Sequence, residues 1–333
     1  MRTPYEHNVE LMQSVTPSLA YDGGDYEAWK KVAKQKLIDL VGLNRFTAVD
    51  ANMEVEFDIV NEENNREIRF TFCTEKGYRS LAHMIIPHGV KKPPIMICLQ
   101  GHSRGMHISL GKAKYPDEVE LIAGGDRDFC VRAVKEGFCA IALEQRNFGE
   151  CGGTDEGPQC LRSTLKGFLM GRTTIGERVW DISRLIDLLI NDFSDILNTD
   201  TICVMGNSGG GTATAYTAAL EDRVKLVIPS CAMATYKDSI GAIPHCSCNF
   251  IPHIAEYFDM GDLMALAFPK YFIQVSGLED ELFPFFAAEE VFNHGAKVYK
   301  QFGKEKYCRL VRGKGGHRFY ADDTWPIVHE LLD

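Results

Sequence analysis

The chain has 333 residues, of which 45% are hydrophobic and 25% are charged, and its formal net charge is -10 at pH 7. This composition is typical of a globular protein with one large domain or two small ones. Because nucleic acids and anionic membrane surfaces attract basic faces, the acidic balance argues against both as partners. The sequence also contains no apolar run of membrane-spanning length.

The first residues, MRTPYEHNVELMQS, show no basic stretch followed by an apolar one, so no secretory signal is expected. The eleven cysteines are an odd number and lie in predicted strands and helices rather than framing loops. Such cysteines are typical of reduced thiols. The sequence therefore predicts a cytoplasmic protein, and a secreted form would need a leader that these residues do not include.

The N-terminal part predicts an arm, a helix and a small antiparallel sheet. Residues 1–24 are expected to be irregular. Residues 25–43 place apolar side chains near helical spacing, and Gly42 follows as a stop signal, so an amphipathic helix that ends at Gly42 is predicted. The segments EVEFDIV, REIRFTFCT and YRSLAHMIIP alternate or run apolar between turn signals, which predicts three antiparallel strands. We therefore expect residues 1–45 to form an arm and a helix that pack on a main domain of residues 46–333.

From residue 95 onward the pattern alternates between strands and helices. Strands are expected at residues 95–100, 138–143, 201–205, 224–229, 270–276 and 307–311, and helices at residues 129–136, 172–191, 286–294 and 321–332. This alternation predicts an α/β fold with a mostly parallel sheet, helices on both faces and an antiparallel N-terminal edge. Residues 231–266 are too polar and too interrupted for this pattern, and we interpret them as a cap insertion.

A strand, a tight turn and a helix are predicted over residues 200–220, DTICVMGNSGGGTATAYTAAL. The turn carries G-x-S-x-G, which in this context is typical of a nucleophile elbow that lifts the serine hydroxyl clear of the sheet. Ser208 is therefore the predicted nucleophile. The bare motif is weak, since residues 101–105 also match it around Ser103. After Ser103, however, lysines, a glycine and a proline stand where a packed helix should begin.

A serine nucleophile requires a base within hydrogen-bond reach and a carboxylate that orients the base. In folds with this elbow the acid follows the serine and the histidine comes last. His317 lies in a glycine-rich loop between the last predicted strand and the last helix, so it is the predicted base. Asp280 follows the strand at residues 270–276 and is the predicted carboxylate, with Glu279 as the alternative.

An oxyanion hole requires two N–H donors beside the nucleophile. Gly209, the residue after the nucleophile, would supply one, and the loop after the strand at residues 95–100 would supply the other. In that loop we favour the backbone N–H of His102 over that of Ser103. Ser103 and Arg104 are candidates for contact with substrate, although Arg104 is equally compatible with a surface charge.

These motifs resemble those of the α/β-hydrolase superfamily, and specifically its dienelactone hydrolase-like and acetyl xylan esterase-like branch. The similarity extends to the stretches LQGHSRGM, ALEQRNFGE, GRTTIGERVWDISRLIDLL and CNFIPHIAEYFDMGDL. The resemblance implies hydrolysis of small carboxylic esters through an acyl-enzyme and a Ser-His-Asp triad, without cofactor or metal, with acetylated sugars as the substrate class. Dienelactone hydrolases use cysteine where Ser208 stands, which favours simple acyl esters over lactones.

Two other functions remain open from the sequence. A peptidase or amidase of the same fold would share the order of the triad residues, although the residues before Ile95 are too few for the propeller of prolyl oligopeptidases. A non-catalytic module could instead bind metal through a cluster of histidines and cysteines, but their spacing matches none of the common structural zinc patterns. The members of that cluster are His245, Cys246, Cys248 and His253.

Overall fold

The computed structural model describes residues 1–333 and contains one nine-stranded sheet with helices around it. The strands are β1 (Glu54–Val60), β2 (Arg66–Glu75), β3 (Tyr78–Ile86), β4 (Pro94–Leu99), β5 (Cys139–Leu143), β6 (Asn198–Asn207), β7 (Val224–Ser230), β8 (Tyr271–Gly277) and β9 (Cys308–Gly313). Their spatial order is β1-β2-β3-β5-β4-β6-β7-β8-β9. The pairings from β1 to β5 are antiparallel, and those from β5 across to β9 are parallel. The predicted α/β class, with an antiparallel edge on a parallel sheet, is confirmed.

Eleven α-helices connect and cover the strands. They are α1 (Pro4–Gln13), α2 (Tyr26–Val41), α3 (Pro116–Gly125), α4 (Phe129–Lys135), α5 (Cys160–Leu169), α6 (Thr174–Phe193), α7 (Gly209–Leu220), α8 (Ile254–Tyr257), α9 (Met260–Ala267), α10 (Phe285–Gln301) and α11 (Ala321–Leu332). The helices that apolar spacing predicts are present, and α10 runs further than expected. None of the helices combines the length and the apolar character needed to cross a lipid bilayer.

The sequence predicted an irregular N-terminal arm. This prediction is wrong for residues 4–13, which form α1. The Thr3 hydroxyl accepts from the Glu6 N–H, and the Glu6 carboxylate accepts from the Thr3 N–H, so the two residues cap the helix reciprocally. No residue of α1 is buried. The helix therefore lacks the buried apolar face whose spacing makes helices visible in a sequence.

Alternating side chains of the parallel strands supply two cores, one on each face of the sheet. In β4, the odd-numbered residues from Ile95 to Leu99 join a cluster of 52 buried residues, whereas Met96 and Cys98 join a separate cluster of 25. Successive residues of a strand point to opposite faces, so one apolar run serves both cores. This double burial explains why the central strands are continuous apolar stretches in the sequence.

Helix α2 attaches the N-terminal residues to the larger core. Leu37 and Val41 of α2 are fully buried in the same cluster as Ile175 of α6. The helix ends at Gly42, whose φ of 78° is the left-handed conformation that glycine adopts readily. The predicted amphipathic helix and its stop signal are therefore confirmed.

Residues 231–266 contain no strand, and two parts of this segment have different environments. Pro244, His245 and Asn249 lie over the carboxyl edge of the sheet, in the wall of a cavity. Helix α9, in contrast, is buried along its whole length and packs against α7 and α10. The end of the segment therefore belongs to the core and not to a polar cap.

The backbone of α7 begins in close contact with the end of β4. A Cβ atom at Gly210 would lie 2.1 Å from the carbonyl oxygen of Leu99 and 2.6 Å from that of Gln100. Both neighbours are backbone atoms of the central sheet region, so they cannot move aside as a flexible side chain could. The contact therefore requires glycine at this position.

We expect Gly210→Ala to lower the free energy of unfolding by about 3 kcal/mol, the upper end for overpacking, because the added methyl group would overlap the backbone at the end of β4. Gly124→Ala in α3 is the matched control, since a Cβ atom at Gly124 meets no other atom within 4 Å and alanine favours the helix. Denaturant unfolding of both variants measures the difference. Equal stability of the two variants would contradict the close approach of α7 to β4.

Candidate active site

Strand β6 and helix α7 meet at Ser208, whose backbone has a φ of 55° and a ψ of -123°. A serine rarely adopts such a conformation, which costs about 1–3 kcal/mol. The Ser208 N–H donates to the Ser230 carbonyl oxygen at 2.8 Å, and this bond ties the turn to β7. The structure thus has the sharp strand-to-helix turn that the G-x-S-x-G motif predicts, with the serine at the carboxyl edge of the sheet.

The loops that follow β8 and β9 bring Asp280 and His317 together. The Nδ1 atom of His317 lies 2.9 Å and 3.1 Å from the two carboxylate oxygens of Asp280. Because Nδ1 faces the carboxylate, Nε2 is the ring nitrogen left for other partners. Nε2 of His317 is buried and has no hydrogen-bond partner within the protein. The imidazole therefore presents one unpaired nitrogen that can accept or deliver a proton.

The surroundings of Asp280 favour its ionised form. Burial raises the pKa of Asp280, but the hydrogen bond and charge of His317 and the N–H groups of Phe283 and Leu282 outweigh burial and hold that pKa below its usual value. The alternative acid, Glu279, is exposed. The structure therefore brings Asp280, and not Glu279, to the imidazole.

Ser208 and His317 line one cavity of about 410 Å³ at the carboxyl edge of the sheet. Its wall also includes His102 and Ser103 from the loop after β4, Arg127 from between α3 and α4, and Pro244, His245 and Asn249 from residues 231–266. A larger cleft of about 570 Å³ beside β1 has no serine, cysteine or histidine in its wall. Chemistry rather than size therefore identifies the smaller cavity as the candidate site.

The two residues predicted to supply the oxyanion donors are neighbours in space. The His102 ring packs so closely on Gly209 that a Cβ atom there would lie 2.6 Å from Cε1 of the ring. The backbone N–H of His102 has no backbone acceptor, and the first N–H groups of a helix lack an intrahelical acceptor. The arrangement leaves both N–H groups available to a bound oxyanion, and their role stays a prediction.

Glu144 anchors the loop that carries His102. The Glu144 carboxylate accepts from the Met106 N–H at 3.1 Å, and only 2% of the residue is exposed. Burial raises the pKa of Glu144 to about 7, because an ionised carboxylate loses its hydration inside the protein. The end of this loop is thus bonded to an acid that can hold a proton near neutral pH.

The other two residues predicted to contact substrate have different environments. Ser103 lines the cavity, and its buried hydroxyl has no partner. It does not lie on an elbow, because the next α-helix begins only at Pro116. The Arg104 guanidinium, in contrast, pairs with Asp117 at 2.7 Å and with Glu118 at 3.5 Å. These ion pairs favour the interpretation of Arg104 as a surface charge.

Arg127 is a cavity residue that the sequence did not single out. Only 8% of it is exposed, and its Nη2 donates to the His317 carbonyl oxygen at 3.1 Å. When the Asn207 amide nitrogen donates to Ser230, the amide oxygen accepts from Arg127 and from the Ser208 N–H, each at 3.2 Å. One buried cation thus supports both the loop of His317 and the turn of Ser208. Its context, GGDRDF, carries no motif that could have indicated this role.

The four residues of the predicted metal cluster do not come together as a set. His253 is exposed and pairs with Glu256 at 2.9 Å, and His245 lies 3.1 Å from a serine hydroxyl. The two cysteines, Cys246 and Cys248, lie next to each other without these histidines. These four residues therefore do not form the single metal site that the sequence left open as an alternative.

No protein-family model matches the chain. A Bacillus subtilis (strain 168) protein, YtaP, whose assignment as a hydrolase is provisional, is 26% identical over 258 residues, which cover 75% of this chain and 81% of that protein. This relative is similar over most of both sequences.

Two solved structures show the same architecture. A Bacteroides fragilis NCTC 9343 protein provisionally assigned as an acetyl xylan esterase has a TM-score of 0.78 and 14% identity, over 94% of this chain and 82% of its own. Acetyl xylan esterase 1 from Thermoanaerobacterium sp. JW/SL YS485 has a TM-score of 0.61 and 18% identity, over 100% of both chains. Given this likeness, the sheet order and the strained turn between β6 and α7, the chain has the α/β-hydrolase fold in a form similar to that of the acetyl xylan esterases.

Proposed function

We propose that the protein is a serine hydrolase that cleaves carboxylic esters through an acyl-enzyme intermediate. The observation that carries this proposal is that Ser208, on a strained turn, shares one cavity with the unpaired Nε2 of His317, whose Nδ1 faces Asp280. A serine, an oriented imidazole and a carboxylate are the groups that acyl transfer requires. The fold that the chain shares with esterases supports the same reaction class.

In this mechanism, Nε2 of His317 takes the proton of Ser208 while the serine oxygen attacks the ester carbonyl carbon. The N–H groups of Gly209 and His102 stabilise the negative charge that develops on the carbonyl oxygen. Asp280 stabilises the imidazolium through Nδ1, and His317 then delivers the proton to the leaving alcohol. A water molecule attacks the acyl-enzyme in the same way, which releases the acid and regenerates Ser208.

We assign short acyl groups, above all acetyl, on sugar alcohols as the substrate class. The cavity of about 410 Å³ lies towards the small end of ligand-binding sites. Pro244 and Leu282 add apolar surface to its wall, whereas His245 and Asn249 add polar groups that suit hydroxyl-rich alcohols. The names of the two acetyl xylan esterase structures point to the same class.

We expect Ser208→Ala to lower kcat for p-nitrophenyl acetate by about 10⁶-fold, because the nucleophile is removed. Ser103→Ala is the matched control, since it removes a hydroxyl of the same size from the same cavity and should lose far less activity. Circular dichroism checks that both variants fold.

A fluorophosphonate probe followed by peptide mapping identifies the nucleophile directly, and it should label Ser208. Label on Ser103, or a greater loss of activity in Ser103→Ala than in Ser208→Ala, would show that the wrong serine had been assigned.

Asp280→Asn should lower kcat by about 10⁴-fold, because asparagine cannot hold His317 in the productive tautomer or stabilise its positive charge. Glu279→Gln makes the same chemical change one residue away, at an exposed position, and should keep the wild-type rate. Steady-state kinetics measures kcat for both variants. If Glu279→Gln were the more impaired variant, the carboxylate role would pass to Glu279.

Substrate preference can be measured with a panel of acyl donors. We expect p-nitrophenyl acetate to be cleaved faster than p-nitrophenyl octanoate, since most residues of the cavity wall are polar and offer a long apolar chain little surface to pack on, and acetylated xylose to release acetate. Aminoacyl anilides should remain intact. Faster cleavage of the anilides than of the esters would assign the protein as an amidase or peptidase instead.

A further inference from the structure

Four metal-binding side chains converge beside the active-site cavity. They are His102, Cys160, Cys246 and Cys248, and their donor atoms all lie within 4.8 Å of one another. His102 follows β4 and Cys160 begins α5, whereas the other two cysteines belong to residues 231–266. Three segments that are distant in the sequence thus present one nitrogen and three sulfurs to a common point. This is a donor set of structural zinc sites.

The spacing of the donor atoms suits a single zinc ion. Zinc bonds to sulfur at about 2.3 Å and to nitrogen at about 2.0 Å, so a tetrahedral site separates neighbouring ligand atoms by about 3.5–3.8 Å. Nε2 of His102 lies 3.1 Å from Sγ of Cys248, and no two donor atoms are more than 4.8 Å apart. These separations bracket the value that a tetrahedral zinc site requires.

The buried guanidinium of Arg178 is an independent indication that the three cysteines carry negative charge. Only 1% of the residue is exposed, and its guanidinium donates to Sγ of Cys248 at 3.5 Å, to Sγ of Cys160 at 3.7 Å and to a backbone carbonyl oxygen. No carboxylate pairs with it. A buried cation without a negative partner is costly. Three thiolates and one Zn²⁺ carry a combined charge of about -1, which balances the guanidinium.

Cys160 and Cys248 are buried, whereas His102 and Cys246 line the wall of the cavity. Phe148 packs on Cys160 and Cys248 in a small buried cluster, and its ring centroid lies 5.3 Å from that of His102. Four protein ligands leave no coordination position for water or substrate. A closed set of this kind is typical of zinc that stabilises a structure rather than zinc that takes part in a reaction.

We propose that this set of one histidine and three cysteines binds one Zn²⁺, which holds the loop after β4 against α5 and residues 231–266. The backbone N–H of His102 is the predicted oxyanion donor, so the ion would also fix that donor beside Ser208. Metal binding does not require catalysis, and the site therefore stands independently of the proposed hydrolysis. It replaces the expectation, drawn from the family resemblance, that the protein contains no metal.

The zinc content of protein purified without chelator from zinc-supplemented medium tests this site, with mass spectrometry of the metal as the measurement. We expect one zinc per chain to remain bound through gel filtration. In competition with a chelator, Cys160→Ser should release its zinc at a chelator concentration at least about tenfold lower than the unaltered chain does, because a ligand is replaced by a weaker one. Cys73→Ser changes a half-buried cysteine outside the set and should keep the full content. Ser208→Ala should keep it too, which separates metal binding from catalysis.

Two measurements on the unaltered chain remain decisive if Cys160→Ser does not fold. Titration with a mercurial reagent should release one zinc per chain to a chromophoric chelator, and the Co²⁺-substituted protein should show the visible bands of a tetrahedral thiolate site. A zinc-free protein with all eleven cysteines titratable in denaturant would overturn the proposal. So would a deficit of two thiols, which would indicate a disulfide within the set, or a zinc affinity of Cys160→Ser equal to that of the unaltered chain.

Discussion

The strained turn at Ser208 is the constraint on which the rest of the structure depends. Its φ of 55° persists because the Ser208 N–H bonds to β7 and because α7 contacts the backbone at the end of β4 through Gly210. A cost of about 1–3 kcal/mol is small beside the burial of the central strands in two cores. The packed sheet therefore prevents the turn from relaxing and keeps the serine at the sheet edge, where the loops of the other strands end.

The carboxyl ends of the parallel strands share one edge, so residues that follow β4, β6, β8 and β9 meet although they are distant in the sequence. Buried cations then link these loops to one another. Arg127 donates to the loop of His317 and to Asn207 beside the elbow, and Arg178 faces the sulfur atoms of two cysteines. Because hydrogen bonds are directional, these contacts define the relative positions of the loops more closely than apolar packing would.

His102 connects the proposed chemistry with the proposed zinc site. Its backbone N–H lies in the loop beside Gly209, while its ring nitrogen Nε2 faces Cys248. The loop is held at its other end by the hydrogen bond from Met106 to the buried Glu144. Two supports on either side of a short glycine-containing loop would pre-organise the oxyanion donor, and pre-organised donors stabilise developing charge without reorganisation during the reaction.

The sequence by itself determined the fold class, the central strands, the long helices and the strand-turn-helix at Ser208, because apolar periodicity and glycine motifs are local patterns. It ranked Asp280 above Glu279 only as a preference, and the tertiary structure alone placed Asp280 against the imidazole and left Glu279 exposed. Only the tertiary structure revealed helix α1, the contacts of Arg127 and the convergence of Cys160 with Cys246 and Cys248. Helix α1 has no buried face, so its residues show no apolar periodicity. Arg127 and the cysteines depend on contacts between distant segments, and such contacts leave no periodic signal in the sequence.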